Sequence, residues 1–356
     1  MKKCYFKFIK LFSLLLIAAV IQSCSKSEKI KLYGVSEDNL PLLNANENCY
    51  IMRVGHAQTE DSPRHKSLLY FKEKVEKASD GNIKIMLYPN GILGDEAEMT
   101  IAVSEGDLEA VRGGDLEFVP KIIQLGLPMI ADTLDEVHQL CYGAPVSKML
   151  EIAAVSNLYV LAVGDDSGFR QITNNVRPIV RPEDMKGLKI RAPQIPATVM
   201  FINELGAEAT VIPFTKLYKA LKDGVVDGQE NPFALIDSSD FYEVQKYCTL
   251  INWQFFPELM YVNLSWWKSL PEEYQKILSD CARDMMLENA RITEADNEEF
   301  IKHIQEGGCQ ITVLTPEQRA AFKPYAEAVW KKYIDEGYAT KNDLNEMLEK
   351  IGKKIK

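Results

Sequence analysis

From residue 49 onward the chain alternates short apolar runs with amphipathic stretches, which predicts strands and helices in turn. Residues 49–54 read as a first strand ending at Gly55-His56. Ser62 and Pro63 then supply an N-cap and a first-turn proline for a helix that carries Leu68, Leu69, Phe71, Val75 and Ala78 and stops at Asp80-Gly81. In the next strand Ile83, Ile85 and Leu87 face one way, and Lys84 and Met86 the other. Strand, helix, strand opens an α/β lobe. A helix over 96–105 ends at Gly106, and a short strand over 107–111 empties into Arg112-Gly113-Gly114-Asp115. Further segments follow at 125–130, a helix over 132–140, a helix around 146–156 and a buried strand over 158–163. Gly164-Asp165-Asp166-Ser167-Gly168 then punctuates the pattern, as a hinge would.

A second lobe begins with a strand over 169–173. Residues 182–187 predict one helical turn closed by glycine, and 188–191 a strand in which Leu188 and Ile190 oppose Lys189 and Arg191, ended by Pro193. A helix over 196–205 and a strand over 209–212 come next. Thr215 is positioned to cap a helix whose Leu217, Ala220 and Leu221 share a face. Residues 247–253 read as a strand crossing back out of the lobe, and 259–264 as another. Ser269-Leu270-Pro271-Glu272 has the capping-box pattern and precedes the longest helical run, 271–305. Such a helix would be about 50 Å long, enough to lie across both lobes in a mechanical role. Helices over 315–337 and 342–356 close the chain.

The first residues change the picture. Lys2, Lys3, Lys7 and Lys10 precede an apolar run at 11–21, and then Ile21-Gln22-Ser23-Cys24, the pattern of an export signal with a lipoprotein cleavage box. The expected organisation is a signal peptide over 1–23, lipidation of Cys24, and a polar tether over 24–48. Lobe I then spans 49–167 with C-terminal contributions from about 256–356, and lobe II spans 168–255. Removing 1–23 takes away four lysines and no acidic residue, so the net charge moves from −10 to −14. That balance argues against nucleic acid. Cys49, Cys141, Cys248, Cys281 and Cys309 are widely spaced and read mostly as buried thiols. No metal-ligand or cofactor pattern appears, and no Ser/His/Asp arrangement, phosphate loop or nucleotide fingerprint points to an enzyme.

Two arginines stand out inside apolar runs: Arg170 and Arg191. Arginine cannot shed its charge, so it must meet a carboxylate, a phosphate or water, and two that converge make an anion site. Either could instead pair internally, Arg191 with Glu230 or Asp227, and Arg170 with Asp165 or Asp166. Arg112 and Asp115 follow the carboxyl end of a strand, where α/β sheets collect ligands, and are further candidates.

Three stretches carry a resemblance in order and spacing: Gly168-Phe169-Arg170-Gln171-Ile172-Thr173-Asn174-Asn175, then 184–193, Asp-Met-Lys-Gly-Leu-Lys-Ile-Arg-Ala-Pro, and then 224–232, Gly-Val-Val-Asp-Gly-Gln-Glu-Asn-Pro. Over about 50–332 the chain resembles the DctP-type solute receptors of tripartite ATP-independent periplasmic (TRAP) transporters. The resemblance implies a periplasmic-binding-protein-like fold, with two α/β lobes joined by hinge strands and a long lobe-spanning helix. It implies that Arg191 holds a ligand carboxylate in a bidentate pair, with Arg170 assisting and Asn231 fixing the same group. Phe214 would pack on the ligand, and Trp253 would stack on it near the hinge. His56, Arg112 and Asp115 would line the first lobe.

The expected function is an exported, non-enzymatic receptor, periplasmic or at the cell surface, monomeric and anchored through Cys24. It would bind a small organic acid, a sugar acid among the options, and deliver it to the membrane permease of a TRAP transporter without a cofactor. The alternative is a sensor lipoprotein of the same fold that docks on a signalling receptor.

Overall fold

A computed structural model describes residues 49–114, 119, 122, 124–142 and 153–354. Residues 1–48, with Cys24 and the expected tether, Asp115, and most of the helix expected around 146–156 lie outside these residues.

Two sheets organise the described chain. The first has the order β2-β1-β3-β10-β4 and is built from β1 (Tyr50–Gly55), β2 (Ile83–Tyr88), β3 (Ala110–Gly113), β4 (Leu158–Asp165) and β10 (Pro257–Asn263). β1 runs parallel to β2 and β3, while β10 lies antiparallel between β3 and β4. The second has the order β11-β9-β5-β8-β6-β7, built from β5 (Arg170–Asn174), β6 (Lys189–Ala192), β7 (Glu208–Val211), β8 (Gly228–Pro232), β9 (Tyr247–Gln254) and β11 (Gln310–Val313). The chain passes between the sheets at 166–169 and returns at 255–256. The backbone N–H of Asp166 donates to the carbonyl of Phe256 at 3.0 Å, so the two crossings are tied together.

Helices cover the sheets. α1 (Pro63–Ala78) starts as its sequence predicts, with the Ser62 side chain accepting from the His65 N–H at 3.2 Å. α2 (Glu96–Glu105) opens on a capping box between Asp95 and Glu98 and ends at Gly106, whose φ of 88° is one that side chains avoid. α3 (Pro196–Glu204) and α4 (Leu217–Lys222) belong to the second lobe.

The long run departs from expectation. It forms α5 (Glu272–Ala295) and α6 (Asn297–Glu306), interrupted at Asp296, whose φ of −95° and ψ of 0° leave the helical region. The partners change at that point. α5 packs on α1 and β4 and puts Leu278, Ala282 and Met285 into the first lobe's core. α6 packs on the helix Phe233–Ser238 and puts Phe300 and Ile304 into the second.

Two expected caps are also absent. The Ser269 hydroxyl donates to the Trp266 carbonyl and closes the helix before, leaving Pro271 to start α5 without a side-chain cap. Thr215 sits inside a 3-10 turn, Phe214–Lys216, and so cannot cap α4. The chain ends on α7 (Lys323–Asp335), packed on α3, and a helix over Lys341–Glu349.

Candidate functional site

A cavity of about 200 Å³ opens between the two sheets' loops, lined by Ala57, Glu96 and Gly114 on one side and by Arg191, Pro213 and Phe214 on the other. Each wall follows from local sequence. Pro193 ends β6 just after Arg191, so the arginine stands at the carboxyl end of a strand that runs parallel to β7 and β8. The 3-10 turn after Pro213 presents Phe214, whose ring meets Phe241 edge-on at 5.8 Å. Opposite, the capping box fixes the first turn of α2 and thereby Glu96, where the helix dipole favours a negative charge.

Arg191 is 3% exposed, yet no carboxylate lies within 4.0 Å of it among the described residues. Its Nε donates to the Ile212 carbonyl at 2.7 Å. Burial pulls its pKa down to about 10, with Arg170 pulling the same way and Glu230 and Glu96 pulling back. It is therefore a desolvated cation at neutral pH whose countercharges are near but not bonded to it.

Arg170 is different. Its Nε donates to Glu230, its Nη2 to the Glu230 carbonyl at 2.9 Å and to Asn231 Oδ1 at 2.7 Å, and its guanidinium lies over the Phe256 ring, 4.0 Å from the centroid. Glu230, named as an alternative internal partner for Arg191, is thus taken by Arg170. Asn231 spends its amide on Gln229 as well. Arg170 and Asn231 are both buried and are not among the residues that line the cavity.

The remaining candidates divide. His56 is fully buried with its Nε2 3.0 Å from His65 Nδ1, and burial, Arg64 and His65 push its pKa down to about 2, so it is neutral. Only its neighbour Ala57 reaches the cavity wall. Arg112 is also fully buried, pairing with Glu258 at 2.8 Å and donating to Ser67 Oγ at 2.7 Å. Trp253 lies in the second lobe's core, stacked on Phe201 at 4.7 Å. Among the described residues singled out in the sequence, Phe214 alone joins Arg191 at the cavity.

Glu96 was missed. Its Oε1 accepts from Arg64 Nη1 at 2.6 Å and its Oε2 from the Gly114 N–H at 3.1 Å, and it remains 26% exposed at the cavity. The signal for it was the Asp95–Glu98 capping box, which places position 96 on the first turn of a helix facing the glycines at 113 and 114.

The profile of bacterial extracellular solute-binding protein family 7, DctP, matches residues 54–336. The chain belongs to that family. Among its relatives are the 2,3-diketo-L-gulonate-binding periplasmic protein YiaO of Escherichia coli, 26% identical over 274 residues covering 76% of this chain and 83% of that one. The C4-dicarboxylate-binding periplasmic protein DctP of Rhodobacter capsulatus is 28% identical over 278 residues, covering 77% and 83%. The crystal structure of the sugar acid binding protein DctPAm from Advenella mimigardefordensis, in complex with galactonate, superposes with a TM-score of 0.80 at 27% identity, over 85% of this chain and 98% of that one. Family 7 proteins are extracytoplasmic substrate receptors of TRAP transporters, not enzymes. The two-lobe α/β fold implied by the sequence motifs is therefore the family's own.

Proposed function

We propose that this family 7 receptor closes its lobes on a hydroxylated monocarboxylic acid and delivers it to the membrane permease of a TRAP transporter. The observation that carries this reading is Arg191, a buried cation without a bonded carboxylate at the wall of an interlobe cavity. A guanidinium offers a planar fork that matches a carboxylate with two parallel charge-assisted hydrogen bonds. Phe214 would pack on the ligand's carbon skeleton, while Arg170 and Asn231, buried and bonded to each other, would support the strand beside that of Arg191.

Glu96 supports the ligand class. Each of its oxygens holds one protein donor and keeps acceptor capacity, which suits hydroxyl groups and repels a second carboxylate. The galactonate-bound relative fits this better than the C4-dicarboxylate receptor does. Closure would follow from contacts made only when the lobes meet, with the crossings at 166–169 and 255–256 as the hinge. The lipid anchor at Cys24, which rests on the sequence pattern at 21–24, belongs to the same proposal, as does a monomeric state.

The test is calorimetry with galactonate and succinate. Wild type should bind the sugar acid in preference to the dicarboxylate. Arg191→Ala should weaken binding at least about a hundredfold, because the ligand's charge is then buried unpaired at a cost of about 3 to 5 kcal/mol. Arg191→Lys should also be impaired, since an ammonium is a point charge. Unchanged affinity in Arg191→Ala would refute the assignment.

A further inference from the structure

A chain of charged side chains, Glu96, Arg64, Asp166, Arg170 and Glu230, runs from the first lobe's cavity wall into the second lobe, and its middle member belongs to neither wall. Asp166 lies on the first crossing, immediately after β4. Its Oδ1 accepts from Arg64 Nη2 and from Gln58 Nε2, both at 2.9 Å and both from the first lobe. Its Oδ2 lies 3.6 Å from Nη1 of Arg170, the first residue of the second lobe's β5. Its backbone is held as firmly. The N–H donates to Phe256 on the returning crossing, and the carbonyl accepts from Asn289 Nδ2 on α5 at 3.0 Å. One residue therefore touches the first lobe, the second lobe, both crossings and the long helix.

The two arginines carry the line outward. Arg64 contacts Asp166 with one terminal nitrogen and Glu96 with the other, so the wall carboxylate and the hinge carboxylate are set by a single planar group. Arg170 in turn holds Glu230 and Asn231 on β8, the strand next to that of Arg191. Neutralising Arg64 needs one carboxylate, and it contacts three: Glu96, Asp166 and Glu258. What Asp166 adds beyond charge balance is the link to Arg170.

We infer that Asp166 is a positioning residue for ligand binding, which holds Arg64 and Arg170 so that Glu96 and the Arg191 wall face each other across the closed cavity. This deepens the proposed receptor function and rests on it. Substituting Asp166 by Asn keeps the size and one acceptor oxygen but removes the charge shared by the two lobes. Substituting it by Glu keeps the charge.

Two measurements separate this inference from the reading beneath it. In small-angle scattering of the ligand-free proteins, Asp166→Asn should have a larger radius of gyration than wild type, and Asp166→Glu should stay nearer wild type. This arm needs no ligand. In galactonate titrations at a temperature well below unfolding, Asp166→Asn should keep one site per folded chain with Kd raised roughly tenfold through faster dissociation, and Asp166→Glu should recover part of the loss. A merely structural lesion would lower the number of competent sites and leave their Kd alone, and that result would overturn the inference. So would equal affinities and equal dimensions for wild type and Asp166→Asn. Failure of wild type to bind any acid would instead remove the receptor reading, while the scattering comparison would still decide whether Asp166 joins the lobes.

Discussion

Arg170 and Arg191 are the same residue type on strands separated only by β8, and they live under opposite conditions. Glu230, on the strand between them, bonds to Arg170 and leaves Arg191 facing the cavity. Another buried carboxyl, Glu258, sits between Arg64 and Arg112. Burial raises its pKa to about 7 from the usual 4.5, against the lowering pull of the two arginines. A carboxyl more easily protonated in the folded than in the unfolded chain adds stability below its unfolded value, and loses that contribution as pH rises through the folded one. The melting temperature should therefore gain a component as pH falls from about 8 to about 6, and Glu258→Gln should lack it. If the variant tracks wild type across that range, the proton is held elsewhere. At this scale the sequence named both arginines and, through the resemblance, set Arg191 against the ligand carboxylate, but not that Glu230 would pair with Arg170, because that depends on strand order, which linear spacing does not encode. It also proposed Trp253 for the site, whereas an aromatic in an apolar strand had a stronger claim from the core, where Phe201 stacks on it.

Elements were more legible than their ends. Alternation and caps located β1, α1, β2 and α2 almost residue for residue, since each rests on local chemistry. The unbroken helix over 271–305 was misjudged for a tertiary reason: its apolar stripe continues through Asp296, but the two halves are buried against different lobes. β11 could not have been assigned to the second sheet from its own sequence, because its partner β9 lies some sixty positions earlier. The divided helix makes a specific prediction. Phe300→Ala removes an aromatic buried in the second lobe's core, a loss of about 3 to 5 kcal/mol. Amide hydrogen exchange should speed up across α6 and β11 and remain near wild type in α5. Equal acceleration along both halves would mean that the interruption at Asp296 does not separate them.

For the molecule as a whole, the cleft walls already meet at their rim. Thr59 Oγ1 donates to the Ser238 carbonyl at 3.0 Å, and a side chain added at Gly91 would come within 2.6 Å of Thr215. If these contacts belong to the closed form, saturating galactonate should shrink the radius of gyration of wild type and leave Arg191→Ala unaffected. Superimposable scattering with and without ligand would rule out hinge closure as the mechanism. The strand order has a further consequence, for how the protein is made. β10 fills the gap between β3 and β4, so a nascent chain released before residue 257 has an open slot in the middle of its first sheet. Synthesis must therefore pass residue 257 before the first sheet can close, which lengthens the interval in which that part of the chain is loose enough to be threaded through a translocation pore.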